Sequence, residues 1–478
     1  MTLRIILFVL LACGAHALAQ APLAMIDEPY QLDSGVHSNT DTEYVAAFTG
    51  VVLRPDAVWL RVHLEAELGR GSYVTLTSML DGQEQSLDAA TLAAWSDASA
   101  GFMGDSVQLV LYVAPGDSDV FVRVTGVTLP LYQFEPTADV PETICGSNDD
   151  RIPSSDPAVG RLLASGCTGW LVSNGAVLTA GHCGVAVGDF LEFNVPASSA
   201  NGVPVLAATS DQYPITAINA VQNIGVGEDW QLLAVGPSSM GGPIPQVVQG
   251  FYRMVQTTPA NGTTVRVTGY GLDNTPGGPG NSCQGGANQG LPCSSNAQCP
   301  GGACMVAACC NAAGSGCQNN CNATSQTEQT TTGPFNGLSG GNTHSYAVDT
   351  MPANSGSPII WEAFQVTIGI HTDGGCTSSG GNNQGTAFNA TPLRDALQAF
   401  AGTNAVYVDG GISGLPQNGG IFEPYTNVGQ AVSAVLNGGT ISMVTGSYAA
   451  ADGNLFTAGA DGRAITFQAP VGVVTIGN

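Results

Sequence analysis

Short apolar runs with a period of two are the feature that most restricts how this chain of 478 residues can fold. Five of them stand between residues 44 and 129, separated by turn pairs such as Asp-Gly and Pro-Gly: YVAAFTGVVL, AVWLRVHLEA, YVTLTSML, VQLVLYVA and VFVRVTGVTL. Such alternation is typical of strands that bury one face. The 64 glycines and the charged fraction of 10% also favour turn-rich β-structure over long surface helices. We therefore predict an all-β protein with a β-sandwich over residues 20–143.

The length and the net charge limit the number of domains and the kinds of partner that we expect. A chain of this length exceeds one ordinary core, and two to four domains are expected. The net charge is −25, and all 11 basic residues are arginines. Nucleic acid and anionic membrane surfaces are therefore poor candidate partners.

The N-terminus predicts export. MTLR is followed by the apolar core IILFVLLA and by small residues that end at Ala17-Leu18-Ala19, the pattern of a secretory signal peptide over residues 1–19. The core is too short to span a bilayer, and no later stretch is apolar enough to do so. We expect a secreted protein cleaved near Ala19. The string LLAC around Cys13 leaves lipoprotein anchoring as an alternative.

The cysteines predict disulfide bonds. Without Cys13 twelve of the 13 remain, an even number in an exported protein. Eight of them crowd into residues 281–324, at positions 283, 293, 299, 304, 309, 310, 317 and 321. So few apolar residues accompany them that disulfides must organise this insert. Paired thiols in AQCPGGAC leave a zinc site as the alternative, but no histidine accompanies them. We predict no metal and no cofactor.

A histidine follows two predicted strands. CTGWLV and AVLTA flank an Asn174-Gly175 hairpin signal and end at His182. A bridge between Cys167 and Cys183 would close a loop of 16 residues and stabilise it by roughly 3 kcal/mol. The string TAGHC makes His182 a candidate general base. The alternative is a packed histidine beside a structural disulfide.

An acid and a nucleophile join His182 as candidate catalytic residues. Asp229 stands 47 residues after the histidine and leads the apolar strand WQLLAV, where a buried carboxylate could orient an imidazole. Glu228 is an alternative and Asp211 a weaker one. Ser355 lies in MPANSGSPII, where small residues let the backbone bend and expose its hydroxyl. His37 and His63 are isolated and carry no prediction.

TAGHC and SGSP together resemble the motifs of the trypsin-like (chymotrypsin-fold) serine proteases. ICGSNDDR, DTMPANSGSP and IGIHTDGG resemble the bacterial glutamyl endopeptidase branch in particular. The resemblance covers roughly residues 145–400, and we expect a protease domain over 144–402. It implies two six-stranded β-barrels, with His182, Asp229 and Ser355 as the triad in the cleft between them. The backbone N–H groups of Ser355 and Ala353 would then bind the oxyanion.

Ala353 departs from the resembled family, and its neighbours Pro352 and Asn354 also bear on the serine loop; the resembled glutamyl endopeptidases share the absence of an aspartate at the position of Asn354. Ala353 stands where glycine is usual, Pro352 restricts the loop further, and Asn354 replaces the aspartate that pairs with a new N-terminus in trypsin. Glycine makes the required backbone geometry cheap, so Ala353 bears on whether the oxyanion hole is preformed. An exported binding or scaffold protein on a protease fold is the rival hypothesis.

The resemblance also suggests specificity. His371 and Thr350 fall at pocket positions that favour cleavage after glutamate or aspartate, whereas Asp349 would favour arginine or lysine. Cleavage after Glu142 would place a new amine at Thr143, so residues 20–142 are either a removable pro-segment or an accessory domain. Cys145 and Cys376 are left to pair, unless an insert cysteine intervenes.

Residues 403–478 resemble the first coil of a pectate-lyase-type right-handed β-helix, in VYVDG, PYTNVGQAVSAV and GGTISMVTGSY. Such coils need neighbours to bury their faces, so we expect this tail to dock on another domain or partner. It carries no constellation that would cleave carbohydrate. The expected substrates of the whole chain are proteins or peptides.

Overall fold

The computed structural model describes residues 25–130, 143–199, 203–272, 281–284, 303–306, 324–412, 414, 416–453 and 462–477. The predicted signal peptide, Glu142 and most of the cysteine-rich insert lie outside these ranges. In the described part of the chain, no helix has the length and apolar character needed to cross a membrane.

The N-terminal part is a β-sandwich, as its period-two runs predict. Its elements are β1 (Met25–Asp33), β2 (Val45–Leu53), β3 (Trp59–Glu67), β4 (Tyr73–Ser78), β5 (Glu84–Leu87), α1 (Ala89–Ala94), β6 (Ala98–Met103), β7 (Ser106–Val113) and β8 (Phe121–Pro130). The strands form two antiparallel sheets with the orders β1-β8-β3-β6 and β2-β7-β4-β5. Every second side chain of β7 is buried, and these residues join the core around Trp95. Asp88 is the N-cap of α1, where its Oδ1 accepts the Thr91 N–H at 2.8 Å.

Six of the next seven strands form a closed barrel. The seven strands are β9 (Ile152–Pro153), β10 (Val159–Leu162), β11 (Cys167–Leu171), β12 (Val177–Thr179), β13 (Phe190–Glu192), β14 (Gln212–Asn223) and β15 (Asp229–Val235). The barrel order is β10-β11-β12-β15-β14-β13, and β9 belongs to the following sheet. Arg161 and Glu192 face each other where β10 meets β13, and they form a buried ion pair of 2.9 Å. We call this the first barrel.

A second barrel follows. Its segment contains α2 (Pro245–Val248), β16 (Thr264–Gly269), β17 (Asn281–Gln284), β18 (Ala303–Val306), β19 (Gln329–Ser339), β20 (Thr343–Tyr346), β21 (Pro358–Trp361), β22 (Val366–Asp373), β23 (Cys376–Thr377), β24 (Gly380–Gly381), β25 (Asn383–Ala387) and α3 (Thr391–Ala399). The strand order is β16-β21-β22-β25-β20-β19, and β16 also pairs with β19, which closes the sheet. Two successive six-stranded barrels make this a chymotrypsin-like double β-barrel, which confirms the predicted fold class.

The tail stacks parallel strands and docks on the chain itself. Its elements are β26 (Val406–Val408), α4 (Val428–Ala434), β27 (Thr440–Met443), β28 (Gly446–Tyr448), β29 (Thr466–Gln468) and β30 (Val474–Ile476). Strands β26, β27 and β29 pair in parallel in that order, as in a β-helix coil. Tyr407 and Phe422 share a core with Phe388 of the barrel region, and Asp409 forms an ion pair with Arg253. The neighbour that such a coil needs is thus within the same chain.

Candidate active site

His182 lies at the end of β12, in a short 3-10 helix of Gly181–Cys183. The disulfide Cys167–Cys183 ties this helix to the start of β11, with a Cα–Cα distance of 6.2 Å. A Cβ on Gly181 would stand 2.0 Å from the carbonyl oxygen of Gln222, so only glycine fits before the histidine. Gly181, the residue before the histidine in TAGHC, therefore allows this helix to pack closely against β14.

Asp229 holds His182 through two contacts. Its carboxylate accepts the backbone N–H of His182 at 2.8 Å and also contacts the ring Nδ1. Asp229 is the first residue of β15 and is 4% exposed. The competing Asp211 instead accepts from the side-chain amides of Asn194 and Gln249 at 3.1 and 2.9 Å. The structure thus brings Asp229, and not Asp211, to the histidine.

This contact selects one tautomer of the imidazole. An ionised carboxylate can only accept hydrogen bonds, so Nδ1 must carry the proton in the His182–Asp229 contact. In the neutral ring, Nε2 is then a base that can accept a proton. This is the arrangement that general-base catalysis by a histidine requires.

Ser355 is held against the first barrel, although it belongs to a loop that leads into β21 of the second. Its carbonyl oxygen accepts the Thr168 N–H at 2.8 Å, and the Cys183 sulfur lies 3.9 Å from the same oxygen. A Cβ on the next residue, Gly356, would come within 2.1 Å of the Thr168 carbonyl oxygen. The loop therefore packs against β11 and against the residues on either side of the histidine. Ser355 is fully buried, so the expectation of an exposed hydroxyl is wrong: the first barrel covers the loop that small residues bend.

Ala353 adopts the backbone geometry for which glycine was expected. Its φ is +76°, in the region that L-residues rarely occupy. Its carbonyl oxygen accepts the Thr168 hydroxyl at 3.0 Å, and the preceding carbonyl, of Pro352, accepts the Leu272 N–H at 2.8 Å. The C=O and N–H of a trans peptide point in opposite directions, so the Ala353 N–H is turned away from Leu272. The Leu272 bond thus fixes the peptide that carries the Ala353 N–H, the proposed oxyanion donor, and the Thr168 bond fixes the peptide that follows it.

The Asn354 side chain closes the same loop. Its Oδ1 accepts the Met351 N–H at 2.9 Å, and its own backbone N–H donates to the Met351 carbonyl at 3.0 Å. Asn354 is 3% exposed. An aspartate that awaits a new N-terminal amine is not needed for this geometry.

Asp349 is occupied by backbone groups. One of its oxygens accepts the Cys145 N–H at 2.7 Å and the other accepts the Asp150 N–H at 2.8 Å. Burial raises the pKa of this carboxyl, against the effect of both hydrogen bonds. The disulfide Cys145–Cys376 lies beside it and joins the start of the barrels to the segment after β22. Asp349 therefore anchors residues 145–150.

Thr350 and His371 lie among buried polar partners. The Thr350 hydroxyl accepts the Asn383 side-chain amide at 2.9 Å and lies 2.8 Å from the Thr143 hydroxyl. The Nδ1 of His371 is 2.7 Å from the Tyr346 hydroxyl. Burial, with the nearby His182, lowers the pKa of His371 to about 3. His371 is therefore neutral near pH 7.

Several positioning residues were beyond sequence reasoning. Thr168 stands in the CTGWLV string, but no spacing indicates a bond to Ala353, 185 residues away. Asn383 joins the carbonyl groups of Thr143 and Val348 to Thr350 with no sequence signal of its own. Among the described residues, one group of metal-ligating side chains lies close together, and its two cysteines are the disulfide pair beside His182.

Comparison with known proteins gives weak similarity to chymotrypsin-fold serine proteases. No family model matches the chain, and no curated protein is significantly similar to it. A solved glutamyl endopeptidase in complex with MPD is 15% identical over 53% of this chain and 97% of its own, with a TM-score of 0.34. The protease Anisep from Arthrobacter nicotinovorans is 14% identical over 50% of this chain and 93% of its own, with a TM-score of 0.30. Such values carry no conclusion about activity, and the fold class follows from strand topology. The comparisons do not support a pectate-lyase relationship for the tail.

Proposed function

We propose that this chain is an exported serine endopeptidase that cleaves peptide bonds through an acyl-enzyme. The observation that carries the proposal is the double contact of the Asp229 carboxylate with the backbone N–H and Nδ1 of His182. It fixes the tautomer in which Nε2 can take a proton from a nucleophile. The packing of the Ser355 loop on Thr168 and on Cys183, the residue next to this histidine, supports Ser355 as the nucleophile.

The proposed reaction has two halves. The Ser355 oxygen attacks the peptide carbonyl carbon while His182 takes the serine proton and then delivers it to the leaving amine. Water attacks the acyl-enzyme in the second half, with His182 as base again. The negative charge on the carbonyl oxygen would be stabilised by the backbone N–H groups of Ser355 and Ala353. The fixed Ala353 peptide supports this assignment because a preorganised donor needs no reorganisation during the reaction.

Glutamate is the preferred residue before the scissile bond in this proposal, with aspartate second. In the tautomer in which Nδ1 accepts the Tyr346 hydroxyl, a neutral His371 can donate from Nε2 to a substrate carboxylate, and Thr350 can add a hydroxyl. The rival specificity for arginine or lysine needs the Asp349 carboxylate, whose two oxygens already accept backbone N–H groups. These contacts favour the acidic substrate.

Cleavage between Glu142 and Thr143 would create an amine beside the specificity residues. Thr143 forms an isolated β-bridge with Thr350, and its carbonyl oxygen accepts the Asn383 amide at 2.8 Å. A new α-amine at this position would bring a positive charge toward a bound carboxylate. N-terminal sequencing of the polypeptide that carries Ser355, taken from the active, exported protein after separation on a denaturing gel, checks this: a start at Thr143 supports the cut, and active enzyme in which this polypeptide starts at Gln20 refutes it.

One experiment separates the enzyme from an inactive scaffold. The exported protein is treated with a serine-directed sulfonyl fluoride and analysed by peptide mass spectrometry, with Ser355→Ala as the matched control. An adduct on Ser355 that His182→Ala abolishes supports the proposal, and no adduct supports the scaffold. A peptide panel with Glu, Asp, Arg or Ala before the scissile bond then measures specificity.

A further inference from the structure

The β-sandwich and the first barrel share a polar interface with matched partners. Gln212 of β14 accepts the Gly101 N–H at 2.8 Å and donates to the Gly101 carbonyl at 2.9 Å. Its side chain therefore pairs with the sandwich strand β6 as a neighbouring backbone would. Gln212 is fully buried. Without the sandwich, its amide would lose both of these partners.

A second group of bonds lies at the other end of the contact. The Ser239 hydroxyl donates to the Ser86 carbonyl at 2.9 Å and accepts the Ser86 N–H at 3.0 Å. Gln85 of β5, which is 1% exposed, donates to the Ser238 carbonyl at 3.1 Å. The Trp95 indole donates to the Pro237 carbonyl at 3.3 Å. The loop that follows β15 is thus bound along the edge of the sandwich.

Apolar packing fills the space between these polar groups. Trp59 of the sandwich forms one buried cluster with Leu163 and Leu206 of the barrel segment. Phe190 of β13 belongs to the sandwich core, and its ring centroid lies 6.2 Å from that of Trp95. Release of the sandwich would expose these barrel side chains to water, which is unfavourable in proportion to the apolar area uncovered.

The interface has the character of a stable protein–protein contact. Nine hydrogen bonds cross it among the described residues. A specific interface of ordinary size has about ten. A segment that must dissociate after processing has no need of fully buried, two-way amide contacts.

We infer that residues 25–130 remain bound to the first barrel after the chain is cut, as a non-covalent subunit of the protein. Of the two alternatives that the sequence left open, the inference favours an accessory domain over a pro-segment that leaves. The partner is the chain's own N-terminal fragment, recognised through Gln212 and Ser239. The inference rests on the proposed function only in that the natural cut would be the one after Glu142.

The test uses the full chain with Ser355→Ala, so that it does not depend on catalysis. Part of the segment 131–142 is replaced by the recognition sequence of a site-specific viral protease. The purified protein is cut and passed through a size-exclusion column in native buffer at about 1 μM, where a Kd well below that concentration keeps fragments together. Both fragments are expected in one peak that resolves into two bands on a denaturing gel. Separate peaks would overturn the inference.

Interface variants identify the surface. Gln212→Ala combined with Ser239→Ala should weaken association of the fragments at least tenfold, because each loses a two-way hydrogen bond. Gln108→Ala, an exposed glutamine of β7, is the matched control and should leave association unchanged. Unfolding of the uncut variants is recorded by circular dichroism, and Ser239→Ala alone serves if the double variant does not fold. Equal association of variants and control would refute the assigned surface.

Discussion

The Thr168 hydroxyl donates to the carbonyl oxygen of Ala353, a residue 185 positions later whose φ is +76°. Thr168 is fully buried, and its Oγ1 also accepts the Tyr270 N–H at 3.0 Å. One side chain of the first barrel thereby holds a disfavoured backbone geometry in the second. Such geometry costs of order 1–3 kcal/mol and persists where the surroundings determine it.

This relationship predicts the effect of changing Ala353. Ala353→Gly removes the steric cost of positive φ and should keep kcat/KM within about threefold of the wild type. Ala353→Val places a β-branched side chain at the same φ and should lower kcat at least tenfold, because the proposed oxyanion donor moves. Steady-state kinetics on a glutamyl peptide measures both. Full activity of Ala353→Val would contradict the role of this peptide.

Asp229→Asn tests the proposed orienting acid. The amide presents one donor where His182 needs only acceptors, so the tautomer that leaves Nε2 basic is lost. We expect kcat to fall about 10⁴-fold near pH 7 with little change in KM. Glu228→Gln, which changes the adjacent carboxylate, is the matched control and should retain activity. Similar losses in the two variants would argue against Asp229 as the orienting acid.

Specificity should depend on His371 and not on Asp349. His371→Phe removes the ring nitrogen proposed to bind the substrate carboxylate, and kcat/KM for glutamyl peptides should fall about 100-fold, with a smaller loss for alanyl peptides. Asp349→Asn should keep the glutamate preference and lower the free energy of unfolding by about 1–3 kcal/mol. The reason is that an amide NH₂ would face one of two backbone donors. Loss of an arginine preference in Asp349→Asn would instead establish trypsin-like specificity.

His344 should make the fold sensitive to acid. Burial lowers its pKa to about 4; Nε2 lies 3.1 Å from the Ile368 carbonyl, and Nδ1 has no partner among the described residues. The pKa of His344 in the folded state lies below the unfolded value of 6.5. The stability that the neutral ring contributes is therefore present above pH 6.5 and is lost as the pH falls through 4. Between pH 7 and pH 4 this loss amounts to at most about 3 kcal/mol.

His344→Phe removes the titrating group, and its ring can pack against Phe335 as the imidazole does. The drop in unfolding free energy between pH 7 and pH 4 should therefore be smaller in this variant than in the wild type. Urea unfolding at the two pH values measures the drop. An equal drop in both proteins would show that His344 does not contribute.

Glu328 should make the fold sensitive to alkaline pH, the opposite of the effect of His344. Burial raises its pKa to about 7, although its Oε1 accepts the Asp156 N–H at 2.6 Å. Its folded pKa lies above the unfolded value of 4.5, so stability present below pH 4.5 is lost as pH rises through 7. Glu328→Gln keeps the acceptor oxygen and should raise the unfolding free energy at pH 9 by up to about 3 kcal/mol, with little change at pH 4. Destabilisation at pH 9 would contradict this account.

The sequence by itself determined the elements and the candidate triad. Period two in runs such as VQLVLYVA places alternate side chains on one face of a strand, a local property that needs no tertiary information. The strings around His182, Asp229 and Ser355 were likewise visible because each is local. The two disulfides proposed between Cys167 and Cys183 and between Cys145 and Cys376 are present in the structure.

Only the tertiary structure decided which groups meet across the chain. Thr168 reaches Ala353, Gln212 pairs with Gly101, and Asp349 accepts the backbone of residues 145 and 150. These contacts join segments from 111 to 204 residues apart. Their partners are often backbone groups, which every residue carries, so no pattern of side chains announces them. Closure of the barrels and docking of the sandwich bring them within hydrogen-bonding distance, and burial then makes each unsatisfied alternative costly.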